Sequence, residues 1–552
     1  EPHAVHSKLT YKLELSLGFW LISLLKRRRR KKEARTMSWS GIGMPVITVS
    51  SMLLVFLVAL IRLFYKQWWT PNRFQTFMDL QGVKGPSYRI IHGNTKEIMS
   101  MKKEAMSKPR SLSHDIFSAV HPHTHKWSKI FGRNFLQWHG TQPQLVIAEP
   151  ELSKEVMNNK DKLFRKQKSQ GYVKKLLGDS ISMAEGEKWV KLRKLANHAF
   201  HGESLKGMIP EMITSSETML ERWVNHEGKE IEVYEEFRLF TSEVISRTAF
   251  GTSYLDGKNI FEMLGQLTFL IFKNNFSLRL PILSRVYKTS DEIKSEKLEK
   301  GIRDTIAGIV RKRESMAMTG EADGFGRDFL GVLLKAHHDT NENQRISVDD
   351  IVDECKTFYF AGQETTNSLL AWTIFLLALD TDWQEEARKE VLQLFGKENP
   401  NPDGLNKLKT MSMILNESLR LYPPVVSLVR ETDKEVRLGK MVVPANVEVH
   451  VPNLSLHHDP KYWGEDVNVF KPERFSEGVA KATNNNMVAF IPFGLGSRTC
   501  VGMNFAIVES KIALAMILQR YSFTLSPGYV HSPIQFMTVR PQRGVPVILH
   551  SL

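Results

Sequence analysis

Two cysteines, Cys355 and Cys500, are the only thiols in 552 residues, which excludes a disulfide framework and fits a catalytic body facing a reducing compartment. No Gly-x-Gly-x-x-Gly follows a strand to open a helix, so the chain carries no dinucleotide domain of its own and electrons must come from elsewhere. No internal repeat recurs, which excludes solenoids and propellers. With 42% hydrophobic and 24% charged residues, the composition excludes both a disordered chain and a polytopic membrane protein.

Positive charge is present in excess but unevenly spread. Of the formal +15, residues 1 to 36 account for +7, with a dense basic run from Lys26 to Lys32, which leaves +8 for the rest. Such clustering argues against a nucleic-acid footprint. A moderate excess on the body suits a surface lying near anionic lipid and docking an acidic partner, and it equally suits plain solubility.

From Ser38 to Ile61 run 24 uncharged residues, ending in the dense apolar stretch Met52–Ile61, which satisfies the roughly 20 residues a spanning helix needs. Arg62 and Lys66 follow, with Trp68 and Trp69 at the place of an interfacial belt, so the body is expected on the cytoplasmic side. A cleaved signal peptide is disfavoured by the length of the run and the lack of a small-residue cleavage site. The basic cluster before the span opposes that orientation, and the chain begins with Glu. Met37 is therefore expected to be the biological start, with residues 1–36 an extension. The expected organisation is an anchor at 38–65, a linker at 66–90 and a catalytic body at 91–552.

After a Gly-Val-Lys-Gly-Pro turn at Gly82 to Pro86, helical-period stretches alternate with short polar loops, and the body reads as mainly helical. Short strands are expected at Glu448–Val451 and Val545–Leu549, in small sheets at one side.

Three stretches carry residue types that ordinary structure does not ask for. Phe493-Gly-Leu-Gly496-Ser-Arg498-Thr-Cys500-Val-Gly502 precedes a helical stretch from Met503 to Arg520. A thiol at the end of a Gly-rich loop and the start of a helix is offered backbone N–H groups and a dipole that favour the thiolate, although a lone cysteine in such a loop can equally be an inert buried residue. Glu417-Ser-Leu-Arg420 lies in a helical run from Leu405 to Leu421 that Pro423 and Pro424 stop, and spacing of three puts both charges on one face, as in any surface ion pair. Ala361-Gly362-Gln363-Glu364-Thr365-Thr366 interrupts a long apolar helix expected from an N-cap at Ser347 to Leu379. Glycine, an acid and two β-branched hydroxyls are poor helix-interior residues, and the apolar flanks Phe358–Phe360 and Leu369–Trp372 argue against a solvent-facing patch.

Phe493, Gly496, Arg498, Cys500 and Gly502 match all five specified positions of Phe-x-x-Gly-x-Arg-x-Cys-x-Gly, and on this string the chain resembles the haem-thiolate monooxygenases, the cytochrome P450 family. The likeness runs from about Ser38 onward, with motifs in family order. It implies a mainly α fold with small β-sheets behind one N-terminal transmembrane helix. It implies haem b with Cys500 as axial ligand of the iron, and Arg498 at a haem propionate. Trp189-Val-Lys-Leu-Arg193 resembles the family's Trp-x-x-x-Arg element, also directed at a propionate, and Arg430 stands where the family often has another such partner. Phe470-Lys-Pro-Glu-Arg474-Phe475 resembles the second arginine motif, so that Glu417, Arg420 and Arg474 form a buried structural network. Glu364 and Thr365 are implied to be the catalytic pair, Glu364 passing protons to the activated oxygen and Thr365 stabilising it. Substrate contacts are implied at the residues flanking Ala361, at Val425–Val429 and at Ile534–Phe536.

The same likeness implies dioxygen as oxidant, NADPH electrons delivered by a flavoprotein reductase, a lipophilic substrate and an endoplasmic reticulum location. Trp68-Trp-Thr-Pro71, Gly82 to Arg89 and Gly93 to Glu97 resemble plant members of the clan that oxidises terpenoids and hormones. The rival readings are a haem-thiolate isomerase or dehydratase acting on a peroxide, and a non-catalytic haem-binding protein. Glu364 and Thr365 speak against both, since a peroxide rearrangement has less need for a proton relay and a carrier performs no turnover.

Overall fold

The computed structural model describes residues 43–159, 162–168, 171–274 and 288–552. The expected leader at 1–36 and the first residues of the expected anchor lie outside them. The chain divides by its contacts between Trp69 and Thr70.

In the first unit lies the helix Gly43–Phe64, whose apolar residues from Val49 to Phe64 are exposed, and a π-helical turn Tyr65–Trp69 follows with both tryptophans exposed. Among the described residues, one stretch, Thr48–Leu80, is long and apolar enough to cross a membrane.

The second unit is built around the helix Val348–Leu379. Its start is set by a capping box, in which Ser347 Oγ accepts from the Asp350 N–H and the Asp350 carboxylate accepts from the Ser347 N–H. Residues 366 to 378 are buried all round, which forces the helix into the middle of the body. The helices Val233–Phe250, Ser290–Thr319 and Met503–Leu518 pack on it. Gly362 makes the first crossing possible, because a Cβ there would lie 2.8 Å from Ile245 Cδ1.

A five-stranded sheet holds a second, smaller core. Its order is Asn134–His139, Gln142–Ile147, Glu448–Val451, Leu428–Thr432 and Phe164–Arg165, with the second and third strands parallel and the other neighbours antiparallel. The expected strand Glu448–Val451 is thus central, and the one near the end spans Pro546–Ser551.

Two expectations need correction. The run Leu405–Leu421 is two helices, Pro402–Lys407 and Lys409–Leu421, broken at Leu408. The Glu390 carboxylate accepts the N–H groups of Lys409, Thr410 and Met411, a cap supplied from another helix that local spacing does not reveal. Much of the stretch 66–90, read as a linker, is folded: Thr70–Leu80 is a helix that buries Met78. The Gln81 side chain donates to the Val442 carbonyl and accepts from the Val442 N–H.

Candidate active site

The cysteine loop turns through Gly494 and Gly496, at φ +78° and +76°. A Cβ on Gly496 would lie 2.7 Å from the Met157 carbonyl oxygen, so this glycine is required by packing on the helix Pro150–Asn158. A Cβ on Gly502 would meet no protein atom within 4 Å. The Cys500 N–H donates to the Phe493 carbonyl at 2.8 Å and closes the loop. Gly502 is the N-cap of Met503–Leu518, which sets the thiol just ahead of the helix start. The Cys500 side chain is accessible although protein surrounds it on most sides, the situation of a group at the floor of a concavity. Burial pushes its thiol up, while the Gly502 backbone N–H and Arg193 pull it down toward thiolate. Cys355 offers nothing comparable: it is 1% exposed, and burial pushes its thiol well up.

Trp189 and Arg193 share one face of the helix Gly186–Phe200, and both dock on this loop. The Arg498 guanidinium lies over the Trp189 ring at 4.4 Å, and Arg193 donates to the Thr499 carbonyl at 2.6 Å. Arg498 also donates to the Ala184 carbonyl at 2.8 Å and pairs with Glu185 at 2.8 Å. Arg430 is buried on the strand Leu428–Thr432 and donates to the carbonyl of its own neighbour Val429. Burial, then Arg498, pushes Arg430 down to about 10 against the pull of Glu185. Lys166 is pushed down to about 7 by burial, then by Arg430 and Arg498, again against Glu185. Three cations thus crowd around one carboxylate, beside a cleft of about 1150 Å³ that Glu185, Trp189, Arg430 and Arg498 help to line. Buried positive charge at this density is stable only with anions beside it.

The helix Val348–Leu379 is sealed along most of its length but opens at Phe360–Gly362 and Thr365, where Ala361 is exposed between the half-buried Phe360 and Gly362. Thr365 Oγ1 donates to the Ala361 carbonyl at 2.7 Å. Glu364 is buried and accepts from Thr538 Oγ1 at 2.9 Å. Burial raises its carboxyl, while Thr538, Arg540 and Arg238 hold it back. The segments expected to contact substrate are tied together through Val539: its N–H donates to the Pro424 carbonyl at 2.9 Å, and its carbonyl accepts from Ser368 Oγ and Trp372 Nε1. That pins the hairpin Pro533–Pro541 against both the central helix and the start of 425–429.

Glu417 and Arg420 are both 0% exposed and form a bidentate pair, with Nε and Nη2 each 2.7 Å from a carboxylate oxygen. The remaining guanidinium hydrogens reach the carbonyls of His457, Val467 and Val469. Arg474 stands 3.4 Å from Glu417 and donates to the Trp463 and Asp466 carbonyls. The three charges that the sequence scatters over 58 residues therefore meet in one network.

The family model for Cytochrome P450 matches residues 112–547. The chain belongs to the cytochrome P450 family. It is 56% identical over 525 residues to Cytochrome P450 CYP749A22 of Panax ginseng, covering 94% of this chain and all of that one. Cytochrome P450 716A67 of Medicago truncatula is 43% identical over 88% of this chain and 94% of its own. The 11-oxo-beta-amyrin 30-oxidase of Glycyrrhiza uralensis is 42% identical over 88% of this chain and 94% of its own. The protein is a cytochrome P450 monooxygenase, and members of the family use haem held by a cysteine thiolate, with electrons from NADPH through a reductase.

The side chains present fit that group. Cys500 supplies an accessible thiol with a cation and an N–H beside it, and the cations around Glu185 suit the two carboxylates of a haem. Sequence reasoning missed Lys166 and Glu185 in this P450, as well as Thr538 and Arg540 beside Glu364. Glu185 carried a signal, an acid directly before a helix and four residues ahead of Trp189. Lys166 sits in the plain basic run Arg165-Lys-Gln-Lys168 and carried none.

Proposed function

We propose that this monooxygenase hydroxylates a terpenoid-class lipophile, with triterpenoids the first candidates, from an anchor at residues 38–65 in the endoplasmic reticulum membrane. The activity of the Glycyrrhiza relative, an 11-oxo-beta-amyrin 30-oxidase, supports the substrate class, and the exposed apolar run up to Ile61, with Arg62 and Lys66 after it, supports the cytoplasm-facing arrangement. The observation that carries the reading is the opening of an otherwise sealed helix at Ala361 and Thr365, with a buried acid next to it.

When bound, haem supplies dioxygen activation, and electron donation by the Cys500 thiolate favours O–O cleavage. Trp189, Arg193, Arg430, Arg498 and Lys166 would hold the haem propionates, and Phe493, Gly496 and Gly502 shape the loop that carries the thiol. Glu364, held by the Thr538 hydroxyl, keeps a proton to higher pH than an ordinary carboxyl and passes it toward Thr365 Oγ1 at the open side of the helix. The apolar residues around this opening exclude water, and Val425–Val429 with Ile534–Phe536 orient the substrate.

Reconstitution of the full chain with an NADPH-dependent flavoprotein reductase, isotopically labelled dioxygen and a panel of triterpenoids tests the reading. One labelled oxygen per product molecule is expected. Conversion of another lipophile class with every triterpenoid untouched would contradict the substrate assignment.

A further inference from the structure

The helices Ser290–Thr319 and Phe329–His337 pack against each other, joined by residues 320–328. Glu314 on the first, and His337 and His338 at the end of the second, bring a carboxylate oxygen and two imidazole nitrogens within 4.8 Å of one another. His338 Nε2 stands 3.0 Å from Glu314 Oε1. We propose that Glu314, His337 and His338 form a binding site for a divalent metal ion of the zinc class, which clamps the ends of these two helices together.

The donor set is the one that zinc accepts when it takes two imidazoles, a carboxylate and a water. Bonds of about 2.0–2.1 Å place tetrahedral ligand atoms roughly 3.3 Å apart, so the Glu314–His338 pair already stands near that spacing and no pair must close by more than about 1.5 Å. His338 is exposed and Glu314 and His337 are half-buried, so the side chains have room for that adjustment.

Both rings are also oriented in advance. His337 Nδ1 is 2.8 Å from the Ile346 carbonyl, which can only accept, so Nδ1 carries the proton and Nε2 is left with its lone pair. A backbone carbonyl on the far nitrogen is the partner that metal-binding histidines usually have. The His338 ring lies flat against Phe325, with centroids 5.0 Å apart and planes 6° from parallel. Both histidines stand at the C-terminal end of a helix, where the unpaired carbonyls favour a cation.

The probe is zinc alone, in equilibrium dialysis against the haem-loaded full chain, with the variants His338→Ala and Glu314→Gln run beside it. One zinc equivalent is expected on the parent, with affinity weakened at least about tenfold in each variant, since loss of an outer partner alone costs about 10–100-fold. Zinc should also raise the unfolding temperature of the parent and not of the variants. Zinc held at other surface histidines is common to all three proteins and cancels in the comparison. Either variant suffices if the other does not fold, as the haem spectrum reports. Equal zinc affinity and equal thermal response in parent and variants would overturn the site and leave the Glu314–His338 contact as a plain hydrogen bond.

Discussion

Replacing Arg420 with alanine is expected to destabilise the haem-loaded body by about 3–5 kcal/mol, the range for breaking a fully buried ion pair from one side. Glu417 would be left without its bidentate partner, and the carbonyls of His457, Val467 and Val469 would lose a donor that water cannot replace at 0% exposure. A methionine at 420 should not rescue, although apolar replacements of buried pairs often do, because the three carbonyls stay unmet. Arg474→Ala should cost less, since that guanidinium is partly exposed and stands 3.4 Å from Glu417. Denaturant midpoints followed by far-ultraviolet circular dichroism check the order, Arg420→Ala worst and Arg474→Ala milder. Equal midpoints for parent and Arg420→Ala would mean the network is ornamental.

Glu364→Gln is expected to lower product formation by about 100-fold while NADPH oxidation falls far less, so that product per NADPH collapses. The amide keeps the size of the side chain and can still accept from Thr538 Oγ1, so what is lost is the titratable proton. Burial raises the Glu364 carboxyl, and the Thr538 hydroxyl opposes that shift by favouring the ionised form. Thr538→Val therefore removes a lowering influence and should move the pH profile of coupling upward. Glu364→Gln should flatten that profile over the same range. Parallel measurement of product and NADPH in ordinary and heavy water checks this, with a larger solvent isotope effect expected in the variant. A proportional fall in both rates with an unchanged isotope effect would assign Glu364 a packing role.

What could be read from sequence was whatever local chemistry dictates. The central helix runs from the N-cap at Ser347 to Leu379 as expected, because Ser-x-x-Asp fixes the start and the apolar run fixes the core. Cys500, Arg498 and Glu417 stood out because their neighbours at fixed offsets form strings that chance does not assemble. What could not be read was whatever distant segments supply. The break at Leu408 depends on Glu390 reaching across from another helix. The environment of Glu364 depends on Thr538, 174 residues away. Lys166 joins Arg430 and Arg498 only through the sheet that pairs Phe164–Arg165 with Leu428–Thr432. Gly496 stood out by its place in the string, but its close approach to the Met157 carbonyl comes from a distant helix.

The central claim is that Cys500 ligates the haem iron. The direct measurement is the Soret band of the reduced protein under carbon monoxide, recorded for the parent, Cys500→Ser and Cys355→Ser. A strongly red-shifted band in the parent and in Cys355→Ser, lost in Cys500→Ser, is the expected result. An ordinary, unshifted band in all three, or a red-shifted band that survives in Cys500→Ser, would contradict it.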